Sequence, residues 1–64
     1  MNTYFVKFKE YSESDYEQCT DACEIITMIN PPASVEQVED EVIRKFYNGK
    51  MSHDLIFIES ISKL

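Results

Sequence analysis

Residues Ala33 to Gly49 read ASVEQVEDEVIRKFYNG, the one stretch of this 64-residue chain that carries the marks of a complete helix with both ends signed. Ser34 supplies an N-cap oxygen. Gln37 follows three residues on, the capping-box spacing in which each side chain satisfies a backbone N–H left free at a helix start. Pro31 and Pro32 lie just upstream, where the chain is held out of the helical region. Val35, Val38, Val42, Ile43 and Phe46 recur at spacings of three and four and form one apolar stripe. Asn48 and Gly49 then tolerate the left-handed conformation that commonly ends a helix. The polar face carries Glu36, Asp40 and Glu41, with Arg44 and Lys45 four residues beyond the last two, an order that favours ion pairs and suits the helix dipole.

An apolar stripe needs a surface to cover, and the flanking sequence supplies strands. From Thr3 to Tyr11, Tyr4, Val6 and Phe8 alternate with Phe5, Lys7 and Lys9, the period of a half-buried strand. Its outward lysines fit an edge strand protected from stray pairing. Glu24 to Asn30 is β-rich and stops at Asn30-Pro31-Pro32, which predicts a second strand feeding the helix. A polar turn from Lys50 to Asp54 leads to a third strand, Leu55 to Ile61, with Leu55 and Phe57 on one side and Ile56 and Ile58 on the other. One helix covers only one face of such a sheet. The expected architecture is therefore α+β: a small three-stranded sheet with one main helix packed on one face, in a single domain spanning residues 1–64.

Between the first two strands lies Glu10 to Glu24, EYSESDYEQCTDACE, with six acids and no base. Ser14 and Glu17 repeat the capping-box spacing, and Tyr16, Cys19 and Cys23 fall at i, i+3 and i+7. This predicts a short second helix from about Asp15 to Ala22 with those three side chains inward, an irregular loop being the alternative. If that helix does not cover the second sheet face, Phe5, Met28, Leu55 and Phe57 form a surface patch that invites a homodimer or a partner.

Composition sets the outer bounds. A chain of this length buries roughly 60% of its unfolded surface, so its core is shallow. Twelve acids against six bases give a net charge of −6, which argues against direct binding to nucleic acid or to an anionic membrane surface and favours a basic partner. The longest apolar run, Leu55 to Ile58, is far short of a membrane span, and no signal-peptide pattern opens the chain, so a cytoplasmic protein with reduced Cys19 and Cys23 is expected.

No pattern of catalysis emerges. The single histidine, His53, lies in a polar turn without the neighbours that general acid–base chemistry requires. Cys19, Cys23 and His53 lack paired zinc-site spacing, and no Gly follows the acids at the offset of a calcium loop. The expectation is a non-enzymatic protein without cofactor or metal.

What remains is binding. A folded protein that displays carboxylates at phosphate-like spacing can occupy the cleft of a DNA-binding protein. The candidate display is Glu10, Glu13, Asp15, Glu17, Asp21 and Glu24, joined by Glu36, Asp40 and Glu41 if the main helix lies alongside. In length, charge and the acidic segment Glu10–Glu24, the chain resembles the small acidic bacteriophage proteins made early in infection to disable host machinery, among them DNA mimics that block the nucleoid-associated protein HU. The resemblance implies a protein of the host bacterial cytoplasm that sits in the DNA-binding groove of an HU dimer, excludes DNA and disturbs the nucleoid. It carries over no site residues, so the acids rest on charge alone. They qualify only if they are gathered on one side and not balanced at short range by bases. The alternative is a small interaction or adaptor protein that inhibits host RNA polymerase or another host protein through an apolar sheet face or an edge strand.

Overall fold

A computed structural model describes residues 1–15 and 17–64. Among them, strand β1 (Asn2–Tyr11), strand β2 (Cys19–Met28), helix α1 (Val35–Tyr47), a 3₁₀ turn (His53–Leu55) and strand β3 (Ile56–Lys63) follow in that order. The strands form one antiparallel sheet in the order β2-β1-β3, and α1 packs on one face of it. This is the expected α+β arrangement. No described helix is long and apolar enough to cross a membrane.

The helix ends where its caps say it should. Ser34 is extended (φ −154°, ψ 163°), and its hydroxyl accepts from the Gln37 N–H at 3.4 Å. The Gln37 side chain returns to the Ala33 N–H at 2.8 Å, one residue before the cap. At the other end Asn48 (φ 55°) and Gly49 (φ 77°) are left-handed, and the Gly49 N–H donates to Ile43 O at 2.9 Å. Val38, Val42 and Ile43 are buried as the stripe predicts, whereas Val35 and Phe46 are about half exposed. Phe46 still touches the core, edge-on to the ring of Phe8 with 5.8 Å between centroids.

β1 is the central strand, which corrects the edge-strand reading of Lys7 and Lys9. Its Tyr4, Val6 and Phe8 point to the helix and form the core with Ile26, Ile56, Val38, Val42 and Ile43. Facing residues of paired strands share a side, so the register fixes the other face as well. Lys7 lies opposite Cys23, Lys9 opposite Asp21 and Phe57, and Phe5 opposite Ile25. β3 carries a bulge at Glu59, because Phe8 pairs with Ile58 while Lys7 pairs with Ser60.

The short helix predicted from Asp15 to Ala22 is not formed. Cys19 to Ala22 instead belong to β2, which runs against β1 in an unbroken ten-residue register from Asn2–Met28 to Tyr11–Cys19. The local signals were ambiguous, since residues four apart share a face in a strand as well as in a helix. Long-range pairing decided between them. Asp15 Oδ1 accepts from the Glu17 N–H at 3.0 Å, so the acid that would have opened a helix closes a turn instead. Cys19 and Cys23 are consequently exposed and not inward-facing. The inward placement of Tyr16 lies outside the described residues.

The predicted apolar patch is also redrawn. Leu55 sits in the 3₁₀ turn and is buried, and Met28 packs against the core on the helix side. Phe5 and Phe57 remain on the uncovered face, where Ile25 joins them.

Candidate functional site

The nine candidate carboxylates do not lie on one surface. Glu10, on the helix side of β1, accepts a hydrogen bond from the Tyr47 hydroxyl. Burial and that carboxylate both push the Tyr47 phenol well above its ordinary value of 10.0. Glu13, Asp15 and Glu17 occupy the β1–β2 turn, which is closed by Ser12 N–H to Gln18 O at 3.1 Å and Gln18 N–H to Asp15 O at 3.1 Å. Asp21 lies on the uncovered face in register with Lys9. Glu24 is on the helix side, 3.6 Å from the Lys45 ammonium.

The helix acids divide again. Glu41 binds Arg44 at 2.7 Å, so the expected i,i+4 pairs are replaced by an i,i+3 pair, and Lys45 reaches across to β2. Asp40 turns to the other flank, where it meets His53 Nε2 at 2.9 Å while Glu39 meets His53 Nδ1 at 3.2 Å. Sequence reasoning left His53 as a solvated turn residue and Glu39 without a role. Their separation of fourteen residues hides the contact in a one-dimensional reading, since only the return of the chain along α1 brings them together.

With a carboxylate at each ring nitrogen, the imidazolium form of His53 is favoured. Its pKa is raised above 6.5 mainly by the hydrogen bond to Glu39, with the charges of Asp40, Glu39 and Glu36 adding to it and partial desolvation opposing. A raised folded-state pKa sets the sign: the stabilisation is fully present below the unfolded value and is lost as pH rises through the folded one. We expect an NMR titration of the His53 ring to show a midpoint above 6.5, and stability to fall across that midpoint. The His53→Gln variant should lack this component. A midpoint at or below 6.5 would show that the contact does not hold in solution.

Short-range balance is thus common among the candidate acids. Glu24 and Glu41 have basic partners, Asp21 faces Lys9, and Asp40 faces His53. Glu13, Asp15 and Glu17 form no ion pair among the described residues, and they cluster by sequence at one end of the hairpin. A cleft of about 500 Å³ beside this turn brings Lys50 into the same lining as Glu10 and Glu13.

The uncovered sheet face is the second candidate. Phe57 is 58% exposed and Ile25 45%, large values for apolar side chains within strands. Phe5 is half-buried opposite Ile25, beside a shallow depression of about 310 Å³ that Lys7, Asp21, Ala22 and Cys23 complete, whereas Phe57 faces Lys9 further along β1. Lys7 and Lys9, two of the six bases, stand on this face, with Asp21 in register with Lys9. Among the described residues no group of three or more His, Cys, Asp or Glu side chains is arranged to hold a metal ion. No protein-family model matches the chain, and neither a curated protein nor a solved structure matches it.

Proposed function

We propose that this protein is a non-enzymatic interaction module that binds another protein through the sheet face left bare by α1. The observation that carries the reading is the exposure of Ile25 beside Phe5 and of Phe57 further along the same face, which has no covering element among the described residues. Burying such side chains stabilises a complex by about 25 cal/mol per Å² of apolar surface removed from water. Lys7 and Lys9 select the partner: an apolar surface rimmed by carboxylates. A second copy fits less well, because two chains of charge −6 repel and a shared face sets lysines against lysines.

A second reading is supported by Glu13, Asp15 and Glu17, whose charges are unpaired among the described residues. They suit a cationic groove such as that of HU, with DNA excluded by mimicry of its phosphates. The balanced acids elsewhere narrow this reading to the hairpin turn.

One set of variants separates the two. Phe57→Ser with Ile25→Ser removes the apolar face, and Glu13→Gln, Asp15→Asn and Glu17→Gln neutralise the turn. The face reading requires a partner that is retained at 1 M salt and lost with the serine variant. A partner released by salt and lost with the neutralised turn supports mimicry, and a competition titration with purified HU and labelled duplex then tests it directly. Surface charge pairs are screened over about 8 Å near physiological ionic strength, so the two salt responses differ widely. A sedimenting dimer dissolved by Phe57→Ser would overturn the proposal of a different partner.

A further inference from the structure

The two edges of the sheet are not protected alike. β3 is bulged at Glu59 and ends in Lys63, both common devices against pairing with another chain. β2 pairs with β1 over ten residues without a bulge and contains no proline or lysine.

Which backbone groups of β2 face outward follows from its hydrogen bonds. The Ile25 N–H donates to Glu24 Oε1 at 2.9 Å, and Lys45 Nζ donates to Ile25 O, so both groups of Ile25 point away from β1. At the other end the Ser12 N–H bonds Gln18 O, which makes the next pair, Tyr11 and Cys19, a non-hydrogen-bonded one. Antiparallel ladders alternate strictly, so Cys19, Asp21 and Cys23 also turn their N–H and C=O groups outward. No hydrogen bond among the described residues engages these groups. The ion pair of Glu24 with Lys45 thus clasps the edge at Ile25 and leaves the stretch before it open.

The open stretch is acidic on its own strand and in the turn that leads into it. Glu17 precedes it, Asp21 and Glu24 lie on it or border it, and the chain has no lysine or arginine between Lys9 and Arg44. The nearest bases on the sheet, Lys7 and Lys9, are on the neighbouring strand inward from the edge.

We infer that β2 accepts an extended, lysine- or arginine-rich peptide as a fourth strand along Cys19–Cys23, with the Glu24–Lys45 clasp as the stop at one end. Three outward N–H and three outward C=O groups bind the peptide backbone. Glu17 and the turn acids, which form no ion pair among the described residues, select basic side chains at the Cys19 end. Strand addition of this kind takes affinity from main-chain bonds and specificity from side chains beside the edge. The inference is independent of the apolar face, because it uses the backbone of β2 and not the side chains of Phe57 or Ile25.

The probe is an acetylated and amidated octapeptide of alternating lysine and valine, compared with the same peptide methylated at every backbone nitrogen and with its glutamate–valine counterpart. By NMR with reduced cysteines, the unmethylated basic peptide should shift the amide signals of Cys19, Asp21 and Cys23 and bind at least tenfold more tightly than either control. Cys23→Pro, which removes one outward donor without changing charge or the β1 ladder, should also weaken it at least tenfold. Phe57→Ser should leave it unchanged. A difference of less than tenfold between the methylated and unmethylated peptides, or shifts centred on residues 12–18, would reduce the effect to charge and overturn the inference. The peptide comparison decides the matter even if Cys23→Pro does not fold.

Discussion

The Phe8→Ala variant is expected to be largely unfolded at 25 °C. Phe8 is fully buried on the central strand and meets the ring of Phe46 edge-on, with an interplanar angle of 84°. Phe46 in turn packs against Tyr47 at 4.8 Å, so the truncation leaves a cavity beneath two more aromatic rings. Removing a buried phenylalanine costs about 3–5 kcal/mol. At about 0.05–0.15 kcal/mol per residue, a domain of 64 residues has about 3–10 kcal/mol in total. Urea denaturation followed by circular dichroism is the measurement. A loss below about 1 kcal/mol would show that the core is not centred on β1.

Adjacent residues of β3 should respond oppositely. Ile56 is 5% exposed and faces α1, and Ile56→Ala should cost about 2–5 kcal/mol. Its neighbour Phe57 faces the bare side, and Phe57→Ser should cost about 1 kcal/mol or less, since a half-exposed strand position gains little from its side chain. The contrast matters for function. An exposed aromatic residue that adds little to folding is available for a partner, and its exchange for serine tests binding without disturbing the core. Equal costs at the two positions would mean that the open face is needed for folding, and the proposed binding face would fall with it.

The helix was the most legible element because its determinants are local. Ser34, Gln37, Asn48 and Gly49 act within a few residues of the bonds they close, so their spacing alone sets both ends. The first strand was legible for a similar reason, as the alternation of Tyr4, Val6 and Phe8 is a one-dimensional record of a two-faced environment. The second strand was only half legible. Its later part is rich in β-branched residues, whereas Cys19 to Glu24 has no strong preference and follows β1 because ten backbone partners were there to be paired.

The fate of the acids was not legible at all. Lys45 passes over its helical neighbours to reach Glu24, and His53 gathers Glu39 and Asp40, because the packing of α1 on the sheet and the return of the chain through the 3₁₀ turn bring distant charges within 4 Å. Residue order therefore determined the elements, their caps and the excess of negative charge, all of which depend on neighbours along the chain. Tertiary structure alone decided which face stays bare, which edge stays open and which carboxylates are neutralised, since each depends on groups that meet only after the helix has docked.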